Sequence, residues 1–559
     1  MRLNSLALKC FYGVLALIVG YFYFIHIKYA YSFPYDDEYR TISTVIIDYL
    51  NAEGFFGKLK VLFVNENESL QLFLKLANII FYELSGEIQY NSLAYMGQLS
   101  LLGFPLVVYL LNRKSDTLWF DIGLTVLIIF NLQYYVLTFK HDISFYYLLG
   151  LLGVTFSLYF WVKGYYKWAL LFFLLGVFNN TSSVLVLPVM VLDYITSARN
   201  IKLKYLLIGG AGFVLLILFF YTIYPYLFWL PEGWEITTKT FFIILGNVAE
   251  FKYGATSEKP YLFLGPAYLL FILVSFYFYL FKRNSRSEKV RFYALMAIYF
   301  FVTISAIAIK RGHLYHHFFT LLDPRYKIFT FSLLLFLLLF WGEMLRLNKK
   351  IKWGLIVVFL CYNVLYMFDS QDYRRFLNQG AKLNSIALKN GHDILGPVHI
   401  NFAVRVYNEL DSLGLAPRED PYARSLYDYM SSASLEGVPE LIAEVKTERI
   451  FDSDRYHTIQ RIIAESENKE SFIFLKSEDN VMLFPLDFYL KNPRVEVLKT
   501  GHYVSNKFYC NLFLSVLKEG EYSLGLLTKE KDGSFSVKVY PEKTIIDSKV
   551  TNLTDEFVQ

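Results

Sequence analysis

CFYGVLALIVGYFYFIHI, Cys10–Ile27, is a nearly unbroken apolar run long enough to cross a bilayer as a helix. Arg2 and Lys9 precede it as they would a signal peptide. The run is longer than a signal h-region, however, and no small-x-small cleavage site follows, so it reads as a retained helix. Comparable runs recur at roughly 93–111, 117–136, 143–162, 168–180, 182–196, 204–224, 261–281, 292–309, 328–346 and 353–369, which with roughly 7–27 gives about eleven crossings. The pair at 168–196 is short in each half, with the polar junction FNNTSS between, and reads as two broken helices. TFFIILGNV at 240–248 is too short to span and reads as an interfacial helix.

Composition agrees with a polytopic membrane protein: of 559 residues 55% are hydrophobic and 19% aromatic, against 18% charged. Lys and Arg fall in alternate connections, at Arg113 and Lys114, Lys163 and Lys167, Arg199 to Lys204, FKRNSRSEKVR at 281–291 and RLNKKIK at 346–352. These five loops are expected in the cytoplasm. With the amino terminus also inside, the odd number of crossings sends the loop at 28–92 and everything after 370 to the outer face. Residues 371–559 carry 23 Lys+Arg against 28 Asp+Glu, whereas the preceding part carries 31 against 21. The positive excess therefore belongs to membrane topology, and no basic groove interleaved with aromatics argues for nucleic acid.

The expected organisation is a transmembrane domain at 1–370 and an extracytoplasmic soluble domain at 371–559, of α+β or β-sandwich type. Residues 371–450 are mostly helix-like. Alternating apolar stretches follow at 470–545, with Lys531, Asp532 and Gly533 forming a hairpin turn. Cys10, Cys361 and Cys510 are too far apart to form a CxxC metal unit and imply no disulfide scaffold.

Three places could carry chemistry. The first outer loop holds Asp36, Asp37 and Glu38 in FPYDDEYRTIST, with Glu66 and Glu68 further on. Carboxylates beside apolar helices can accept a proton from a hydroxyl or hold a divalent cation. Equally, Asp36 or Asp37 could cap EYRTISTVIIDYL, whose apolar spacing suits a helix lying on the membrane. FKHDISFYYLL places Lys140, His141 and Asp142 at the outer start of the fourth crossing, where the acid is again a possible cap and Lys140 can snorkel. KRGHLYHHFFTLLDPRYK, 310–327, gathers positive charge on the outer face, where topology does not demand it. Arg325 can grip a phosphate through its planar fork, while Lys327 with it could instead contact anionic lipid. His313, His316 and His317 are metal-ligating residue types, His313 and His317 at helical i,i+4 spacing.

In order and sidedness these stretches resemble the GT-C class of integral membrane glycosyltransferases, particularly bacterial members that take sugars from polyprenyl-phosphate carriers. The likeness covers about residues 1–370. DDEYRTIST is similar to that class's Asp-Glu motif, with Asp37 and Glu38 at the matching positions. VLTFKHDISFYYLLGLL is similar to the stretch where a second Asp, here Asp142, opens the fourth helix. GVFNNTSSVLVLPVMVLDY resembles the following helix pair, without the lysine often found there. DPRYKIFTFSLLL resembles the Arg-Tyr before a late helix, which puts Arg325 at the carrier phosphate. NESLQLFLKL keeps Asn67 and Glu68 of an Asn-Glu-His-Arg motif but not the His-Arg pair.

The resemblance implies transfer of a sugar from a polyprenyl-phosphate carrier to a glycan, lipid or protein acceptor at the outer face of the bacterial plasma membrane. Asp37, Glu38 and Asp142 would be the catalytic candidates, with Asp36 and Glu68 additional ones. Arg325, Lys327 and Lys140 would bind the donor phosphate. A divalent cation is left open. An O-antigen-type polymerase, a polysaccharide or lipid transporter and a non-catalytic envelope scaffold stand as alternatives. A transporter would place ionisable groups at the bilayer midplane, whereas these gather at helix ends.

Overall fold

The computed structural model describes residues 5–35, 37–64, 70–197, 203–223, 233–249, 258–281, 287–312, 324–369, 371–392, 394, 400–452, 455–466, 470–486, 488–491, 504–514, 517 and 519–546. Contacts divide the chain into two compact units: Met1–Lys28 with Asp48–Ser370, and Tyr29–Ile47 with Gln371–Gln559.

The first unit is helical. Its elements are α1 (Ser5–Lys28), α2 (Thr44–Asn51, through which the division between units runs), α3 (Gly54–Val61), α4 (Leu72–Ser85), α5 (Tyr90–Leu99), α6 (Gly103–Asn112), α7 (Leu118–Ile129), α8 (Tyr135–Phe139), α9 (His141–Val162) and α10 (Tyr166–Val177). These continue with α11 (Val186–Ser197), α12 (Leu203–Ile223), α13 (Trp234–Gly246), α14 (Lys259–Phe281), α15 (Glu288–Lys310), α16 (Pro324–Met344) and α17 (Lys349–Asp369). Among the described residues six helices are long and apolar enough to cross a membrane: Leu6–Lys28, Tyr90–Asn112, His141–Val162, Lys259–Phe281, Glu288–Lys310 and Arg325–Met344. Shorter apolar helices occupy Leu118–Tyr134, Tyr166–Val177, Thr181–Thr196 and Gly209–Phe219.

Small residues let these helices approach closely, as apolar helices without a hydrophobic drive between them require. A Cβ on Gly97 of α5 would collide with the Ser144 carbonyl of α9, and one on Gly153 of α9 would sit 2.6 Å from the Gly176 nitrogen of α10. The 240–248 segment, expected at an interface, instead forms the end of α13. There Ile243, Ile244 and Leu245 are buried, and a Cβ on Gly246 would meet the Tyr261 carbonyl of α14 at 2.6 Å. Its apolar face is covered by protein because α14 and α15 pack on it: the Phe241 ring lies 6.0 Å from that of Phe301 in α15.

The second unit contains α18 (Gln371–Lys389), α19 (Ile400–Ser412), α20 (Pro421–Ser432) and eight strands: β1 (Ala443–Asp452), β2 (Arg455–Glu465), β3 (Ser471–Lys476), β4 (Val481–Pro485), β5 (Phe488–Lys491), β6 (Val504–Phe513), β7 (Gly520–Lys529) and β8 (Phe535–Ile546). They form two antiparallel four-stranded sheets, ordered β1-β2-β6-β5 and β4-β3-β7-β8. The alternation seen in the sequence has a direct use, since odd and even positions of a strand face opposite layers. Ile473, Leu475, Leu524 and Leu526 meet Ile462, Phe508, Cys510 and Leu512 between the sheets. Phe472, Phe474, Leu483 and Leu527 point the other way and are covered by Leu383 and Ile386 of α18 and by Leu426, Tyr427 and Met430 of α20. The β7–β8 turn is the expected hairpin, with Gly533 at φ +88° and the Glu530 N–H donating to the Ser534 carbonyl. Lys476 donates from Nζ to the Met430 (2.6 Å) and Ala433 (2.7 Å) carbonyls, closing the C-terminal end of α20.

Candidate functional site

The acidic loop belongs to the second unit. At its tip the Asp37 carbonyl accepts from the Arg40 and Thr41 N–H groups, both at 2.9 Å. The chain then makes one π-type turn, Tyr39–Ser43, in which the Thr44 N–H reaches the Tyr39 carbonyl, and enters α2. Such wide turns are rare and recur at functional sites. The two acids differ in setting: Asp37 is half-buried, whereas Glu38 is fully buried, its Oε2 accepting from the Tyr35 N–H at 2.8 Å. Ile42, Val45, Ile46 and Ile47 are also buried. The apolar spacing of this segment therefore serves packing against protein and leaves no apolar face to lie on a membrane. Asp36, Glu66 and Glu68 lie outside the described residues, as do His313, His316 and His317.

α18 holds this loop in place, a role that the sequence reading missed. Asn378 Nδ2 donates to the Ala30 carbonyl at 2.9 Å, and Asn384 Nδ2 lies 3.3 Å from the Tyr39 hydroxyl while its Oδ1 accepts from the Ile394 N–H. The Arg40 guanidinium lies 5.4 Å from the centre of the Phe402 ring of α19. One turn before Asn378 on the same face, Arg374 is completely buried. The signal was present in QDYRRFLNQGAKLNSIALK: Arg374, Asn378 and Asn384 fall where an amphipathic helix lying on one sheet needs no buried polar groups.

In the first unit, Lys140, His141 and Asp142 are all buried. Lys140, extended at φ −69° and ψ 127°, occupies the N-cap position of α9, and its carbonyl accepts from the Ser144 N–H. Asp142 is thus inside the first turn, its Oδ1 2.6 Å from the Ile143 nitrogen, where the positive end of the helix dipole favours an anion. The His141 ring faces Tyr90 of α5 at 5.6 Å, and Phe139 stacks on His26 of α1 at 4.5 Å.

Arg325 and Lys327 likewise lie in the first turn of α16, not ahead of it. The Arg325 guanidinium is 5.1 Å from the Tyr326 ring, and Lys327 is buried. Tyr147 and Phe329, about a turn further along α9 and α16, have ring centres 6.1 Å apart. The two first turns, with Asp142 and Lys140 on one and Arg325 and Lys327 on the other, therefore open at the same end of the helical unit. FNNTSS lies between α10 and α11 as a polar turn. Asn180 Oδ1 accepts from the Ser182 N–H, and the Phe178 carbonyl takes the Leu72 N–H from the start of α4.

The opposite end is built from ion pairs. Asp193 of α11 accepts from Arg291 of α15 (Nη2 to Oδ2, 2.6 Å), from Tyr279 of α14 (3.0 Å) and from Trp161 of α9 (2.9 Å). Lys289 of α15 pairs with Glu343 of α16 at 3.4 Å, and Glu343 Oε1 lies 3.2 Å from the hydroxyl of Thr117, just before α7. Lys163 pairs with Glu288. These contacts bring together helix ends that border all five Lys/Arg-bearing connections.

Among the described residues no three His, Cys, Asp or Glu side chains gather as a metal site. No protein-family model, curated protein or solved structure matches the chain.

Proposed function

We propose that the protein is a GT-C-like membrane glycosyltransferase that moves a sugar from a polyprenyl-phosphate carrier to an envelope glycan, lipid or protein acceptor at the outer face. The observation that carries this reading is that Lys140 and the buried Asp142 at the start of α9, and Arg325 and Lys327 at the start of α16, lie at helix starts that open at one end of the helical unit. On the expected topology of about eleven crossings with the five basic connections in the cytoplasm, the helix starts that carry Asp142 and Arg325 would face outward. Cations on that side oppose the usual charge bias, and the planar fork of Arg325 suits a phosphate ligand.

In the reaction the acceptor hydroxyl oxygen attacks the anomeric carbon, the bond from that carbon to the carrier phosphate breaks, and the hydroxyl proton passes to a carboxylate. Asp37 is the first candidate for that base, with Asp142 the second and Glu38 a group that positions the loop. Arg325, with Lys327 and Lys140, neutralises the departing phosphate. The donor is anchored in the bilayer, so the chemistry needs acids at helix ends and no nucleotide-binding loop.

The test is sugar transfer from a polyprenyl-phosphate donor in proteoliposomes at matched protein level. Asp37→Asn keeps volume but loses the basic oxygens and should lower turnover by about 100-fold or more. Arg325→Lys, which loses the planar fork, should weaken donor use and retain partial activity. Wild-type turnover in Asp37→Asn would remove Asp37 from the mechanism.

A further inference from the structure

We infer that α3 and the outer face of α4 form a docking surface for an anionic lipid membrane, independently of any catalytic reading. On α3, Phe55 and Phe56 are 74% and 82% exposed, Leu59 continues the Phe55 face at four-residue spacing, and Phe63 is exposed in the turn that follows. On α4, Leu76, Ile80 and Leu84 repeat every four residues and are exposed, Leu84 by 80%, while Leu74, Lys75, Asn78 and Ile79 are buried on the other side. Tyr49 joins the two surfaces: its hydroxyl donates to Glu83 of α4 at 2.7 Å, and Lys58 of α3 lies 4.3 Å from its ring centre.

The identity of the occupant follows from position and charge. In the chain the segment falls between the candidate spans Leu6–Lys28 and Tyr90–Asn112, and α4 leads directly into the second of them. GFFGKLKVLF interleaves Phe55, Phe56 and Phe63 with Lys58 and Lys60, the last of these exposed. A protein partner would exclude lysine from the centre of its interface. At a bilayer surface the phenylalanines enter the acyl boundary while the ammonium groups meet lipid phosphates. α2 does not compete for this role, since its Val45, Ile46 and Ile47 are already buried.

The experiment uses the full-length protein with Cys10→Ser, Cys361→Ser and Cys510→Ala, reconstituted in vesicles of phosphatidylcholine and phosphatidylglycerol. Single spin labels are placed by Phe56→Cys and Leu84→Cys. Leu17→Cys on α1 serves as the deep reference, and Glu87→Cys as the aqueous one. The ratio of collisions with oxygen to collisions with a water-soluble nickel chelate should place labels 56 and 84 between the two references. Adding Lys60→Glu, or omitting phosphatidylglycerol, should move label 56 toward the aqueous value. Labels 56 and 84 matching Glu87→Cys would overturn the inference, as would exclusion of both reagents, the sign of a surface covered by protein. A charge-independent position would overturn its anionic part. The two labels sit on different helices, so misfolding of one variant leaves the other as a test.

Discussion

The two ends of the helical unit carry different sets of ionisable groups. At the Asp193 end the carboxylate is met by a guanidinium, a phenol and an indole from three other helices, and Lys289 and Glu343 neutralise one another nearby. At the other end Lys140 and Asp142 stand at the start of α9, and Arg325 and Lys327 at the start of α16. Ionisable groups that serve the fold are matched within the protein, because an uncompensated buried charge is costly. The proposed function assigns the groups at the Asp142 end to a charged ligand instead.

The contrast can be broken most forcefully by removing one partner at each end. Arg291→Met leaves Asp193 without its counter-charge and should lower stability by about 3–5 kcal/mol, read as an early thermal transition of the purified protein. Asp142→Asn should leave that transition in place while reducing sugar transfer. If Asp142→Asn unfolds the protein as Arg291→Met does, both ends are structural and the distinction fails.

A second, smaller effect concerns the unit that contains the sheets. An isolated 371–559 fragment contains both sheets but lacks the partners of Asn378, Asn384 and Phe402 in the 29–47 segment. Each lost hydrogen bond contributes roughly 0.5–1.5 kcal/mol. A synthetic 29–47 peptide should therefore raise the fragment's urea midpoint in a dose-dependent way, and a peptide with Tyr39→Phe should do so less. No response to either peptide would show that the acidic loop is not held by α18.

The smallest effect lies in the β7–β8 turn. Hydrogen bonds from Ser534 hold the Asp532 carboxyl below its ordinary value of 3.8. A depressed folded-state pKa means that the contribution is present above that ordinary value and is lost as pH falls through the lower, folded one. Asp532→Asn should therefore flatten a shallow acid-side decline in fragment stability and change nothing at neutral pH. An unchanged acid limb would assign that decline to other carboxylates.

Much of this architecture was legible because each feature depends on local pattern. Apolar runs marked the helices, of which six among the described residues are long and apolar enough to cross a membrane against the eleven or so runs expected, and the polar FNNTSS break separated α10 from α11. Period-two alternation around Lys531, Asp532 and Gly533 gave the β7–β8 hairpin. The candidate site was legible only as residue types at helix ends. That Asp142 lies inside the first turn of α9, or that Glu38 rather than Asp37 is the fully buried acid, depends on backbone geometry which the letters DDE and KHD leave open.

Sequence alone determined that long apolar helices alternate with basic connections and that a separately patterned sheet region follows, since bilayer thickness and strand pleat impose those periods on any chain. Only the tertiary structure decided which partners use them. It covered α13 with α14 and α15, turned the apolar face of 42–47 inward, and joined the acidic loop to α18 more than three hundred residues away. It also exposed the phenylalanines of α3. The physical reason is the same throughout: hydrophobic burial is non-directional, so an apolar face states that it must be covered and leaves the covering surface to long-range packing.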